Sequence, residues 1–242
     1  MKRNYRSNLL FIESGFRACW RNATDLLSAT TVLLDARHFG VSLSVSVLAM
    51  EEIGKMMFID GLLFARSGDH KDEGFRSGFR KHPWKLRFLD LFPFFVHALA
   101  MVDLRYDEEQ RFRTAMAISL SNLKRERARL AEWLGAACDL TELDRWKQQG
   151  LYAGTSGDRF VTPNEVISEA FSRAAHGLAR RFVTSVDFHL KNGGIDRYFA
   201  QAKSIRSKLK ETDHQIFEKL GAETFEEVFG IGPPDEDDNP TQ

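Results

Sequence analysis

The sequence predicts an all-α bundle with one irregular excursion. Three observations predict it. Apolar residues recur at three- and four-residue steps along most of the chain. The 242 residues include only six prolines but twenty phenylalanines, as long uninterrupted elements with aromatic packing require. Helix start and stop signals also bracket the apolar runs, most clearly Thr162-Pro163-Asn164-Glu165 and Asn192-Gly193-Gly194.

The first helix is expected from about Asn8 to Arg37, with Leu9, Ile12, Phe16, Cys19 or Trp20, Ala23, Leu26 or Leu27, Thr30 and Leu33 or Leu34 on one face. A second runs from Val41 to Phe64 with the stripe Val41, Val45, Leu48, Glu52, Met56, Ile59 and Leu63. Polar and glycine residues from Ser67 to Gly74 break the chain, and Phe75 to Lys81 fit a helical turn or two. His82 precedes Pro83, which biases it away from helix and marks a boundary. Helix is expected again from Trp84 to about Leu104, with a kink near Pro93.

The charged segment from Asp107 to about Lys147 has sparse apolar positions, including Phe112, Met116, Leu123, Leu130 and Leu134, so one face is solvated. Gly150 to Val161 holds three glycines between short apolar edges and reads as a loop or small hairpin. Thr162 as N-cap, Pro163 at the first helical position and Glu165 three residues after the cap open a helix expected to reach Lys191. Another follows from Ile195 toward Leu220, and a short one spans Thr224 to Phe229. The organisation is thus a helical core over residues 1–148, a hairpin or loop with C-terminal helices packed on the same domain over 149–230, and an acidic tail over 231–242 that is expected to be disordered.

Composition narrows the function. Lys and Arg number 34 and so do Asp and Glu, which argues against coating nucleic acid by bulk electrostatics but leaves room for a local basic patch. Two cysteines, Cys19 and Cys138, form no disulfide framework, so a reducing cytoplasm is the expected compartment. The most apolar stretch, Val41 to Phe64, is interrupted by Glu51, Glu52, Lys55 and Asp60, and no membrane span is expected. No Gly-rich phosphate loop, Cys/His metal spacing or Gly-x-Ser-x-Gly is present, and no cofactor or metal is expected.

Two features could carry chemistry. In Glu51-Glu52-Ile53-Gly54-Lys55, Glu52 stands on a stripe that is apolar before and after it, where a carboxylate without a partner is costly to bury. Glu51 and Lys55 are spaced as a surface ion pair. Gly54, costing about 1 kcal/mol against Ala in mid-helix, is expected to admit a close neighbour. The plainer account is a helix with one partly exposed acid and a packing glycine. The second feature, Phe75 to Lys85, gathers Arg76, Arg80, Lys81, His82 and Lys85. Imidazole moves protons near neutral pH and arginine stabilises charge on phosphate, which is what metal-free RNA cleavage needs. Arg76 and His82 are separated by five residues, a pattern that chance supplies about twice in a chain of this composition. A basic loop capping helices is the plainer account of it.

Glu51-Glu52-x-Gly54-Lys55, followed by Phe75-x3-Phe79-Arg80-x-His82-x2-Lys85, resembles the AbiV-type abortive-infection family of the HEPN superfamily. Leu151-Tyr152 and Pro163-x-Glu165 resemble its C-terminal half, so the similarity spans about Asn8 to Lys191. The resemblance implies a HEPN-like helical bundle acting in phage defence. The wider superfamily implies a metal-independent RNase with an arginine-x4-6-histidine motif, carried here by Arg76 and His82 with Arg80 as the competing arginine. It also implies a homodimer, RNA as substrate and a phage-encoded protein as trigger. In that scheme Glu51, Glu52, Lys55 and Lys85 support the site, with Glu52 and Lys55 orienting the basic cluster from the core side. Where the family has a small apolar residue and then Asp after Leu-Tyr, this chain has Ala153-Gly154, with Asp158 the nearest substitute. The rival expectation is a non-catalytic sensor or binding protein whose motif residues form a structural polar core. A nucleotide-binding helical module is a third.

Other candidates are weaker. His176 is expected on a solvated face and His97 in the core, while His38, His189 and His214 are expected at helix ends or surfaces. Lys124, Arg125, Arg127 and Arg129 form a basic helical stretch that Glu126 and Glu132 dilute, and it reads as a solvated face ahead of an RNA contact.

Overall fold

The computed structural model describes residues 2–64, 82–89, 92, 95, 124–135, 138–156, 158–191 and 193–208. In chain order these form α1 (Lys2–Asp35), α2 (Phe39–Phe64), α3 (His82–Phe88), α4 (124–134), α5 (Glu142–Leu151), the strands β1 (Gly154–Ser156) and β2 (Arg159–Val161), then α6 (Pro163–Val166), α7 (Glu169–Leu190) and α8 (Gly194–Lys208). The fold is an all-α bundle with a single small hairpin among the described residues, as the periodicity predicts. The expected turns at 75–81, the continuation from 96 to Leu104, and everything beyond 208, including the acidic tail, lie outside the described residues.

The first helix buries Leu9, Ile12, Phe16, Cys19, Ala23, Thr30 and Leu34, the stripe its spacing predicts. The α2 expectation is corrected. The first half of its stripe, Val41, Val45, Leu48 and Glu52, is the less buried side there, with Val41 36 % exposed, whereas Met56 and Ile59 of the second half are buried as expected. The deeply buried residues are Leu43, Val47, Met50, Glu51, Ile53 and Met56. Because α2 is apolar or small on every side, its periodicity gives no direction. It is the central helix, packed against α1, α3, α5 and α7. Its buried hydroxyls are all satisfied: Ser44 Oγ donates to the Lys147 carbonyl at 2.7 Å and Ser46 Oγ to the Ser42 carbonyl at 2.9 Å, while Ser42 Oγ reaches the Thr30 carbonyl at 3.4 Å.

At one end, Gly40 of α2 and Gly150 of α5 meet so closely that a Cβ on Gly40 would stand 3.0 Å from the Gly150 carbonyl oxygen. Asn164 closes this corner, accepting from the Gly40 amide at 3.0 Å and donating to the Arg37 carbonyl at 3.1 Å. The charged segment is not continuous helix among the described residues. Gly135 (φ 77°) and Cys138 (φ 48°) adopt left-handed backbone and separate α4 from α5.

The expected hairpin is present, with Thr155 paired to Phe160. The capping box is present as well: the Thr162 amide donates to Glu165 Oε2 at 2.6 Å. The helix it opens is nevertheless one turn long. Ile167 leaves helical geometry, and Ser168 starts α7 anew by accepting from the Phe171 amide at 3.2 Å. The α7 helix ends before Gly193 (φ 81°) as its stop signal predicts. Phe16 ties the ends of the chain together, edge-on to Phe199 at 5.3 Å and stacked with Tyr198 at 5.8 Å.

Candidate functional site

The Glu-Glu-x-Gly-Lys segment lies halfway along α2, where α3 crosses it. A Cβ on Gly54 would overlap the Lys85 carbonyl oxygen and stand 2.7 Å from the carbonyl carbon. Only glycine lets the α3 backbone rest on α2 here, which is the close approach its mid-helix position predicts. That contact delivers the Lys85 side chain to Glu51, whose Oε2 is 3.8 Å from the ammonium. From the opposite side, α5 supplies Lys147, whose Nζ donates to Glu51 Oε1 at 2.6 Å and lies 2.6 Å from Asp144 Oδ1. The Glu51, Lys85 and Lys147 side chains are 2 %, 7 % and 3 % exposed, so this ionic group is dry.

The acid buried in the core is therefore Glu51, and the expected surface pair of Glu51 with Lys55 is corrected. Lys55 instead forms an ion pair with Glu52 on the outer side of α2. Cys19 of α1 lies against that pair, and burial followed by the Glu52 charge pushes its thiol up to about 12, far from reactive thiolate. Lys85 is pulled below the ordinary lysine range, first by burial and next by the Lys55 charge, with Glu51 and Glu52 opposing. Three helices are thus pinned to one carboxylate. Removing any one charge would strand the others in a dry core.

His82 is the first residue of α3, and Pro83 follows in the first turn, where its missing N–H costs nothing. Lys85 is one turn on. Arg76 and Arg80 lie outside the described residues, so of the basic cluster the fold places the His82 backbone and the Lys85 side chain. Sequence reasoning missed Lys147 and Asp144. Their i, i+3 spacing was visible, but their partner is 96 residues away. Asp158 is exposed at the hairpin turn. His176, expected on a solvated face, is half-buried, and burial with Arg180 and Arg173 holds its imidazole below its usual range while Asp35 opposes them. His189 is likewise half-buried, whereas His38 is exposed.

A family model described as AbiV, of the HEPN type, matches residues 11–184, from the first turns of α1 to the last third of α7. The chain belongs to the AbiV family. The match takes in the α2 motif, the α3 crossing, the Gly40–Gly150 corner and the hairpin. Membership of the AbiV family assigns the chain to abortive-infection defence against phage. No curated protein and no solved structure matches it. Among the described residues, no helix is long and apolar enough to cross a membrane.

Proposed function

We propose that this AbiV-family chain acts on RNA as a metal-independent endoribonuclease, working in the cytoplasm as a homodimer that halts translation in infected cells. The observation that carries the reading is the position of His82 at the head of a helix whose backbone and lysine are clamped to α2 by Gly54 and Glu51. A residue meant to move protons needs a fixed backbone, and catalytic groups are most accurate on braced elements. In this reading the 2′-oxygen attacks the adjacent phosphorus as the bond to the 5′-oxygen breaks, and His82 either takes the proton of the ribose 2′-hydroxyl or gives one to the leaving 5′-oxygen, the second imidazole of the homodimer serving the other step. The products are a 2′,3′-cyclic phosphate and a 5′-hydroxyl end. Arg76 and Arg80 stabilise charge on the crowded phosphate. Glu51, Lys85 and Lys147 act one step removed, by holding α3 in place.

A second reading has an observation of its own. The dry, charge-paired group around Glu51 is what a structural polar core looks like, and it fits a non-catalytic sensor that binds a phage protein. One experiment separates the two. Purified protein is incubated with RNA in chelator, wild type beside His82→Ala, and both are melted. The nuclease reading expects cleavage by wild type only, at similar melting temperatures. Equal cleavage by both, or none by either with phage-infected extract added, would remove it.

A further inference from the structure

The basic stretch of α4 gains a meaning that its sequence conceals. Glu126, which dilutes it on paper, is 3 % exposed and turned inward against α7. Its Oε2 accepts from Arg129 Nη1 at 3.0 Å, and its Oε1 lies 3.5 Å from Arg181 Nε. Gly177 makes the room, since a Cβ there would come within 3.0 Å of the same carboxylate. One buried acid therefore sets two arginines, from two helices, along a single seam.

The seam is antiparallel, because Glu126 meets Gly177 and Arg181 while residues 128–133 face residues 170–174. It opens there into a groove of about 440 Å³. Ala128, Ala170 and Ala174 form low walls, and Arg129 and Arg173 stand over it. Its half-buried Trp133 stacks on Phe171 at 4.8 Å. Arg180 is exposed on α7, and Lys124 and Arg125 are exposed at the start of α4. Arg173 and Arg180, seven residues apart, are separated by about 10 Å along the helix. Against these cations stand the surface acids Glu132 in the groove, Glu169, which accepts from Arg173 Nε at 2.8 Å, and Asp35, which acts on His176 between Arg173 and Arg180. In a chain of zero net charge this is a concentrated positive strip.

We propose that the α4–α7 groove is a binding track for the sugar-phosphate backbone of single-stranded RNA, separate from the α2–α3 assembly. It rests on the reading that the chain acts on RNA and names where that RNA is held. The arginines along the seam contact successive phosphates, the alanine walls let the backbone come close, and the Trp133 edge supplies apolar surface.

The test uses a fluorescent single-stranded RNA carrying 2′-O-methyl groups, which cannot be cut, so binding is read without cleavage. Arg173→Gln with Arg180→Gln, both exposed positions, should weaken binding roughly tenfold and flatten the plot of log affinity against log salt by about 0.7 per lost phosphate contact. Glu132→Gln should tighten it about twofold. Wild-type affinity and slope in the double variant would overturn the proposal. So would no binding by wild type, or displacement by polyglutamate as effective as by RNA, which would make the strip a site for acidic protein. RNA cut equally well by the groove variant refutes the track and leaves the nuclease reading intact. Groove-dependent binding with no cleavage of ordinary RNA supports the track and refutes the nuclease reading.

Discussion

Glu51→Ala is the sharpest perturbation of the α2 assembly. It leaves the Lys147 ammonium, 3 % exposed, with Asp144 alone, and the Lys85 ammonium, 7 % exposed, without its acid. Removing one partner of a buried ion pair costs about 3–5 kcal/mol, because the remaining charge stays in the dry interior. For a chain of this size each kcal/mol is worth about 2–4 °C of melting temperature, so a fall of roughly 6–20 °C is expected by calorimetry or circular dichroism. Glu52→Ala, which breaks the outer pair with Lys55 (19 % exposed), should cost about 1 kcal/mol. Glu51→Met combined with Lys147→Met should cost less than the two single changes added, with a coupling of about 1–3 kcal/mol. If Glu51→Ala melts within about 1 kcal/mol of wild type, or Glu52→Ala is the worse of the two, Glu51 does not clamp the three helices.

Gly54→Ala, which would gain about 1 kcal/mol in an ordinary helix, should instead lose about 3 kcal/mol, because its methyl group displaces the Lys85 backbone; a rise in melting temperature would refute the close approach. Ser168→Ala should cost about 1 kcal/mol by uncapping α7, measured by urea denaturation. Asp60, buried and held by the Tyr198 hydroxyl, is pushed up to about 7, mainly by burial. The folded state thus binds this proton more tightly than the unfolded state. Its contribution is complete below about pH 4 and is lost as pH rises to about 7. Asp60→Asn keeps an acceptor for Tyr198 and never ionises, so its melting temperature relative to wild type should rise from pH 5 to pH 8. An equal difference at both pH values would contradict this.

Helices with one wet face were legible in the sequence, and buried ones were not. In α1 the stripe from Leu9 to Leu34 is the observed core, because the other side is polar and periodicity carries a direction. In α2 apolar or small residues occur on every side, so the first half of the stripe chosen from spacing is the outer one, while Met56 and Ile59 are buried, and the buried acid is mistaken by one residue. Gly54 was informative for a physical reason: a glycine that costs helix stability needs a neighbour to justify it, and Lys85 is that neighbour. Thr162 and Glu165 correctly mark a helix start, yet the break at Ile167 was hidden, since Ser168 as a second cap competes with a strong apolar pattern on both sides. Lys147 and Glu126 were illegible in their roles. A charge is assigned to the surface by default, and only packing against a distant helix turns it inward.

In the proposed nuclease, His82 moves protons and the Glu51 group holds its helix. The chemistry of RNA ends tests that division most directly. Termini of RNA exposed to wild type, His82→Ala and Glu51→Gln are mapped in chelator at a temperature where all three remain folded. The account predicts 2′,3′-cyclic phosphate and 5′-hydroxyl ends from wild type, none from His82→Ala, and the same ends at reduced yield from Glu51→Gln. Identical ends and yields from wild type and His82→Ala would contradict it.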